Sequence, residues 1–296
     1  MLQQHRNFYQ KSTEYEVEKK IILRQIFSAL RFLEEKGICH FDLKPENFVF
    51  KNPLSTELKM VDFDFMSRCP NEEGKFRFCG TPCFYAPELL YQRCRGKLCD
   101  QSKRDIWAAG LIAIEIFSGV EYDWGCGTEL KSEKDKRQLE NVIMDHTEMI
   151  IPRIPVPLDR DMKELIVHLL VKSPKDRWTA AQAFSSPYFV LPEYTEPEDG
   201  IEIILVPQHE KIKRFLRGKP LTMRVSPSIS VSALMDQIML KYGIRKSSFS
   251  LWYKEINPSL SGILKKIGNI KKPLESYHIQ EGDSIYLNVK DLRHDP

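Results

Sequence analysis

The run His40-Phe41-Asp42-Leu43-Lys44-Pro45-Glu46-Asn47 decides how this chain is read. It stands directly before two short β-prone stretches, residues 48–50 and 58–61, which are separated by the turn-forming residues Lys51-Asn52-Pro53-Leu54-Ser55-Thr56. Val61-Asp62-Phe63-Asp64-Phe65 closes the hairpin. Phosphoryl transfer asks little covalent chemistry of a protein. It does need a carboxylate at the attacking hydroxyl and hard oxygen ligands for Mg²⁺ on the phosphates. Asp42, Asn47 and Asp62 are the right types, and a hairpin holds all three on one edge. Taken singly, each has a plainer reading: Asp42 and Asp62 as turn carboxylates, Lys44 as a solvated charge, His40 as a structural hydrogen-bonding residue.

Outward from this run, the pattern predicts a mostly helical first part. Thr13 and Glu16 form a capping-box pair, and Val17, Ile21, Ile22, Ile26, Leu30 and Leu33 recur at helical spacing until Gly37. Residues 65–88 read as loop. Residues 105–118 are apolar on nearly every face, which predicts a buried helix ended by Gly119. Further helices are expected over 161–171 and 179–185, the latter opened by a Thr179/Gln182 capping box. Residues 191–200, with two prolines and four acids, read as a linker. The period then changes to two: residues 201–206, 221–225, 249–253 and 285–289 read as strands, with a helix capped by Ser230 running to Tyr242. The expected fold class is α+β, with domains at 1–190 and 201–290.

The ordered set around the first run resembles the protein-kinase family, closest to calmodulin-dependent-like serine/threonine kinases. Gly80-Thr81, Tyr85-Ala86-Pro87-Glu88, Asp105-Ile106-Trp107 with Gly110, and Asp176-Arg177 follow in the family's order. The resemblance implies that Asp42 orients a substrate hydroxyl and accepts its proton, that Lys44 stabilises the transferring phosphate, and that Thr81 contacts that lysine and the substrate. Lys44, Glu46, Asn47, Val49 and Asp62 would line the nucleotide site, with Asn47 and Asp62 as Mg²⁺ ligands and Val49 under the adenine. ATP and Mg²⁺ are the implied cofactors, and a protein hydroxyl is the implied substrate. The resemblance also pairs Glu88 with Arg177 and sets the Asp105 carboxylate against the backbone of the catalytic loop.

Three departures qualify the resemblance. The Gly-rich phosphate loop, the strand lysine and the helical glutamate of the ATP-gripping lobe find no match in the 39 residues before His40, so a C-terminal lobe alone is expected. Phe41 stands where many kinases carry an arginine that receives an activation-loop phosphate, and Ser67 is the only hydroxyl between Asp62 and Gly80, so control by loop phosphorylation is not expected. Asp64 replaces the glycine after the metal-binding Asp-Phe. Aspartate tolerates positive φ better than most residues, so the glycine's backbone is expected to survive.

Composition sets the remaining bounds. The chain has 296 residues, 42% hydrophobic and 29% charged, enough to bury one large core or two smaller ones. No signal peptide or membrane span is legible, and seven cysteines without a CxxC pair read as free thiols in a reducing, cytoplasmic setting. Residues 1–200 carry 28 basic against 32 acidic side chains, and residues 201–296 carry 16 against 9. The basic tail favours an acidic protein partner, the plainer alternative being that its lysines only keep it soluble. Neither nucleic acid nor membrane is expected as a partner. Residues 201–290 resemble ubiquitin-like β-grasp domains in Pro220 to Val225, Ser230 to Ile244 and Pro273 to Asp283. The chain ends Arg293-His294-Asp295-Pro296 without Gly-Gly, which points to an internal binding module rather than a conjugated tag. Three functions stay open: a serine/threonine kinase, a catalytically inactive lobe acting as scaffold, and an adaptor working through its ubiquitin-like tail.

Overall fold

The structure, a computed structural model, describes residues 15–69, 78–90, 101–119, 121, 122, 124, 132–146, 158–193, 195–218, 220–254 and 263–290. These fall into two compact units. One is built from Lys19–Phe50 and Leu58–Val190, the other from residues 15–18, Lys51–Glu57 and the chain from Leu191 onward. Thr13, three of the seven cysteines (Cys94, Cys99 and Cys126) and the C-terminal Arg-His-Asp-Pro lie outside the described residues.

The first unit opens with helix α1 (Glu16–Glu35), whose Ile22, Leu23, Ile26, Phe27, Leu30 and Leu33 are buried as their spacing requires. The two-residue strand β1 (Ile38–Cys39) follows, then the hairpin strands β2 (Phe48–Phe50) and β3 (Leu58–Met60), paired antiparallel with Val49 opposite Lys59. Strand β4 (Ser67–Arg68) returns to pair with β1. Helix α2 (Arg104–Ser118) buries every residue except Phe117, and Gly119 ends it in the left-handed region. Helices α3 (Glu133–His146), α4 (Arg160–Leu169) and α5 (Ala180–Phe184) follow. Asp159 caps α4 and Thr179 caps α5, the latter through the full capping box expected from sequence. α2 packs on the end of α4 where it has no side chain: a Cβ at Gly110 would stand 2.8 Å from Leu170 Cδ2.

The second unit is a five-stranded mixed sheet carrying a helix. Strand β5 (Ile201–Pro207) is followed by the short helix α6 (Glu210–Phe215), strand β6 (Leu221–Val225), helix α7 (Val231–Tyr242), strands β7 (Phe249–Lys254) and β8 (Leu264–Lys266), and finally β9 (Ser284–Val289). The strand order is β6-β5-β9-β7-β8, with β5 and β9 parallel and the other neighbours antiparallel. Ile203, Leu205, Leu251, Ile285 and Leu287 from the sheet meet Leu234 and Ile238 from α7 in one core.

Two short segments from early in the chain complete that core. Leu54, in the turn that joins β2 to β3, is 5% exposed and packs in it. The Leu54 carbonyl accepts from the Arg245 amide at 2.8 Å, and the Gly243 carbonyl accepts from the Thr56 amide at 3.0 Å. The fully buried Glu18 carboxylate accepts from the Ser247 amide at 2.9 Å and its hydroxyl at 2.7 Å. Two hydrogen bonds of this kind are what keep a carboxylate tolerable away from water.

Among the described residues no helix is long and apolar enough to cross a membrane, and Cys39, Cys69, Cys79 and Cys83 are in no disulfide.

Candidate active site

The loop between β1 and β2 is held from beneath by one carboxylate. Asp105, in the first turn of α2, accepts from the His40 amide at 2.6 Å and the Phe41 amide at 2.9 Å. Burial pushes its carboxyl above the usual range, and the two amides and the neighbouring Arg104 guanidinium offset only part of that push. The two bonds hold a strained turn. Phe41 has φ 68°, a left-handed conformation that an aromatic residue adopts only when its surroundings impose it.

That turn delivers Asp42 to a small polar cluster. Its Oδ1 accepts from the Thr81 hydroxyl at 2.7 Å, and its Oδ2 from Lys44 Nζ at 3.0 Å. Lys44 Nζ also reaches Thr81 Oγ1 at 3.4 Å. The structure thus brings together all three residues expected to be catalytic. Asn47 joins from behind, its buried Nδ2 donating to the Asp42 carbonyl at 2.8 Å. This anchors the amide nitrogen and leaves the amide oxygen as the group a hard cation would use.

The remaining site residues follow along the hairpin. Glu46 sits in the 3-10 turn Pro45–Asn47, and Val49 is half-buried in β2. Asp62 comes two residues after β3 and is exposed, with φ 66°. Here the structure differs from expectation: the left-handed residue is Asp62, and Asp64 is not among the positive-φ residues. Asp64 instead lies in a turn closed by the Met66 amide on the Phe63 carbonyl at 3.0 Å, which any residue type can form. The oxygen donors of Asn47 and Asp62 suit a Mg²⁺ ion, which takes one or two protein oxygens and fills its shell with phosphate and water.

Thr81 arrives on a segment that Gly80 allows to pass close. Gly80 has φ 109°, and a Cβ there would stand 2.6 Å from the Phe41 carbonyl oxygen. Gly80→Ala is therefore expected to lower stability by about 1–3 kcal/mol and to pull Thr81 off Asp42. Thermal unfolding and the hydroxyl-sensitive chemical shifts of Thr81 check both parts. Further along, Arg177 meets Glu88 in a two-pronged, buried ion pair, Nη1 to Oε1 at 2.7 Å and Nη2 to Oε2 at 2.9 Å.

The family model for the protein kinase domain matches residues 1–189. The chain belongs to the protein kinase family. It is 30% identical over 205 residues to the calcium/calmodulin-dependent protein kinase cmkB of Emericella nidulans, covering 68% of this chain and 48% of that one. It is 27% identical over 176 residues to the serine/threonine-protein kinase ULK1 of Homo sapiens, covering 57% of this chain and 15% of that one. With the CDPK-related kinase 5 of Arabidopsis thaliana it shares 25% over 260 residues, 88% of this chain and 39% of that one. This kinase chain thus spans about half or less of the length of these relatives.

One residue of the candidate site is invisible to motif reading. Arg104, 5% exposed, donates from Nη2 to the Cys79 carbonyl at 2.6 Å and from Nη1 to Gln101 Oε1 at 3.1 Å, with its guanidinium 4.8 Å from the centre of the Phe41 ring. A faint signal exists: a cation in the first turn of a helix opposes the macrodipole, so its presence there asks for another reason.

Proposed function

We propose that the first unit of this chain carries the substrate-side phosphoryl-transfer machinery of a serine/threonine protein kinase. The observation that carries this reading is Asp42 held between the Thr81 hydroxyl and the Lys44 ammonium on a loop pinned by Asp105. Asp42 orients a substrate hydroxyl and takes up its proton as the oxygen attacks. Lys44 places a positive charge where the transferring group gathers negative charge. Thr81 fixes the geometry of both. Asn47 and Asp62 would hold Mg²⁺, which when bound with ATP neutralises charge on the phosphates. Glu46 and Val49 line the approach to the same site.

The second unit is proposed as a ubiquitin-like β-grasp module, supported by its strand order, its parallel β5–β9 pair and the placement of α7. Lys211, Arg214, Lys265, Lys266, Lys271 and Lys272 are exposed on it, which favours an acidic protein as partner.

The chain by itself is expected to bind ATP weakly and to transfer phosphate far below the rate of about 1–100 per second usual for kinases, because the lysine and Gly-rich loop that grip the phosphates find no match in its sequence. Joined in frame to an ATP-gripping lobe, it should phosphorylate serine or threonine in a protein substrate. Radiolabel transfer by both forms is the test. Full activity from the chain alone would refute the division of labour, and silence from the joined form would favour a scaffold role.

A further inference from the structure

The family's usual receiver of a loop phosphate is replaced here by Phe41, yet a guanidinium still reaches the segment that such a phosphate would order. It comes from Arg104, the first residue of α2. We infer that Arg104 is a positioning residue that holds the end of the activation segment over the catalytic loop without any phosphate. The inference rests on the kinase reading of Asp42 and Thr81.

Two contacts and one close approach carry it. Nη2 of Arg104 donates to the carbonyl of Cys79, two residues before Thr81. The guanidinium lies 4.8 Å from the centre of the Phe41 ring, the residue directly before Asp42. A Cβ placed on Gly80 would come within 3.7 Å of Nη2, so the guanidinium also flanks the glycine between those two points. One side chain therefore bridges the segment that leads to Thr81 and the segment that leads to Asp42, touching the backbone of one and the aromatic face of the other. Nη1 is anchored on Gln101, which keeps the fork aimed.

Phe41 and Arg104 make sense as a pair. An arginine at position 41 would set a second cation against Arg104 in a buried site, where like charges repel strongly. An aromatic face attracts the cation instead. The negative counterpart is also supplied internally, by the Cys79 carbonyl that accepts from Arg104 and by the neighbouring Asp105 carboxylate. This cation is already engaged, so a phosphate on Ser67 has little to gain from it.

Amide hydrogen exchange on the full chain tests this without any need for turnover, so its outcome is separable from whether the chain proves to be a kinase. Arg104→Met keeps the stem and removes the donors, and should speed exchange across residues 79–85 by about tenfold or more, while α4 keeps its protection. Arg104→Lys keeps the charge but not the fork, and should give a smaller acceleration confined to the same residues. If Arg104→Met fails to fold, the lysine variant decides. Unchanged exchange at 79–85 in the lysine variant, or equal acceleration there and in α4, overturns the inference. Phosphatase treatment of the wild-type chain should leave the exchange of 79–85 as it was, and a change on treatment also overturns it.

Discussion

Arg177→Ala is expected to lower the free energy of unfolding by about 3–5 kcal/mol, because it strands the Glu88 carboxylate in the interior. The arginine side chain is 0% exposed and the glutamate 2%. Beyond the ion pair, Arg177 Nε donates to the Val171 carbonyl at 3.0 Å and Nη1 to the Lys103 carbonyl at 2.8 Å, and the guanidinium lies 5.1 Å from the centre of the Trp107 ring. One side chain thus ties the segment after Thr81, the start of α2 and the loop after α4. Its loss leaves several acceptors without their donor as well as one uncompensated charge. The replacement Glu88→Gln keeps the shape and some hydrogen bonding, so it should cost less than Arg177→Ala. Denaturant midpoints at constant slope measure the order of the two variants, and equal midpoints for wild type and Arg177→Ala would show that the pair contributes nothing.

Asp42→Asn, placed in the chain joined to an ATP-gripping lobe, is expected to lower turnover by about 10²–10⁴-fold, the range that a positioned general base commonly supplies. The substitution preserves size and can still bond to Thr81, so the fold should be unaffected. What goes is the ability to accept a proton and the charge that Lys44 pairs with. Thr81→Ala should impair turnover less, since it removes one orienting bond of 2.7 Å and leaves the carboxylate. Ser67→Ala should be nearly silent, because the part Ser67 plays in β4 is a backbone pairing with Cys39. Steady-state rates of the three variants, with thermal unfolding as the control for folding, check the ranking. A large loss in Ser67→Ala would overturn the reading that this loop works without phosphorylation.

The parts of the fold legible in sequence are those whose signals are local. Helix α2 announces itself because almost every side chain is apolar, and α7 because Ser230 caps it and Gly243 ends it. Helix α3 escapes notice: its buried Leu139 and Ile143 are too few to set a period among charged neighbours. Strand β8 is a three-residue edge carrying two lysines, which is how edges are kept from further pairing and also how they lose their sequence signature. The same division holds at the site. Asp42, Lys44 and Asn47 lie within one short run, so their grouping can be read directly, and Thr81 joins them through the family's order of motifs. Arg104 cannot be found this way, because its partner is a backbone carbonyl 25 residues away and every residue owns one of those. The left-handed backbone at Asp62 rather than Asp64 is likewise a matter of how a turn closes, which side-chain identity does not record.

The turn between β2 and β3 has a consequence for how this protein can be divided. Residues 15–18 and Lys51–Glu57 belong to the second unit, and the stretches between and after them belong to the first. A single cut at Leu191 therefore separates residues that pack in one core. A fragment beginning at Leu191 would start with a hole where Leu54 belongs and with Ser247 facing no carboxylate, while its complement would carry both as orphans. Modules that are exchanged by gene fusion travel as uninterrupted stretches, and such a stretch beginning at Leu191 would leave Leu54 and Glu18 behind. Insertions or deletions in residues 51–57 are edits to the second unit as much as to the hairpin that bears Asn47 and Asp62, so the two units are constrained to change together.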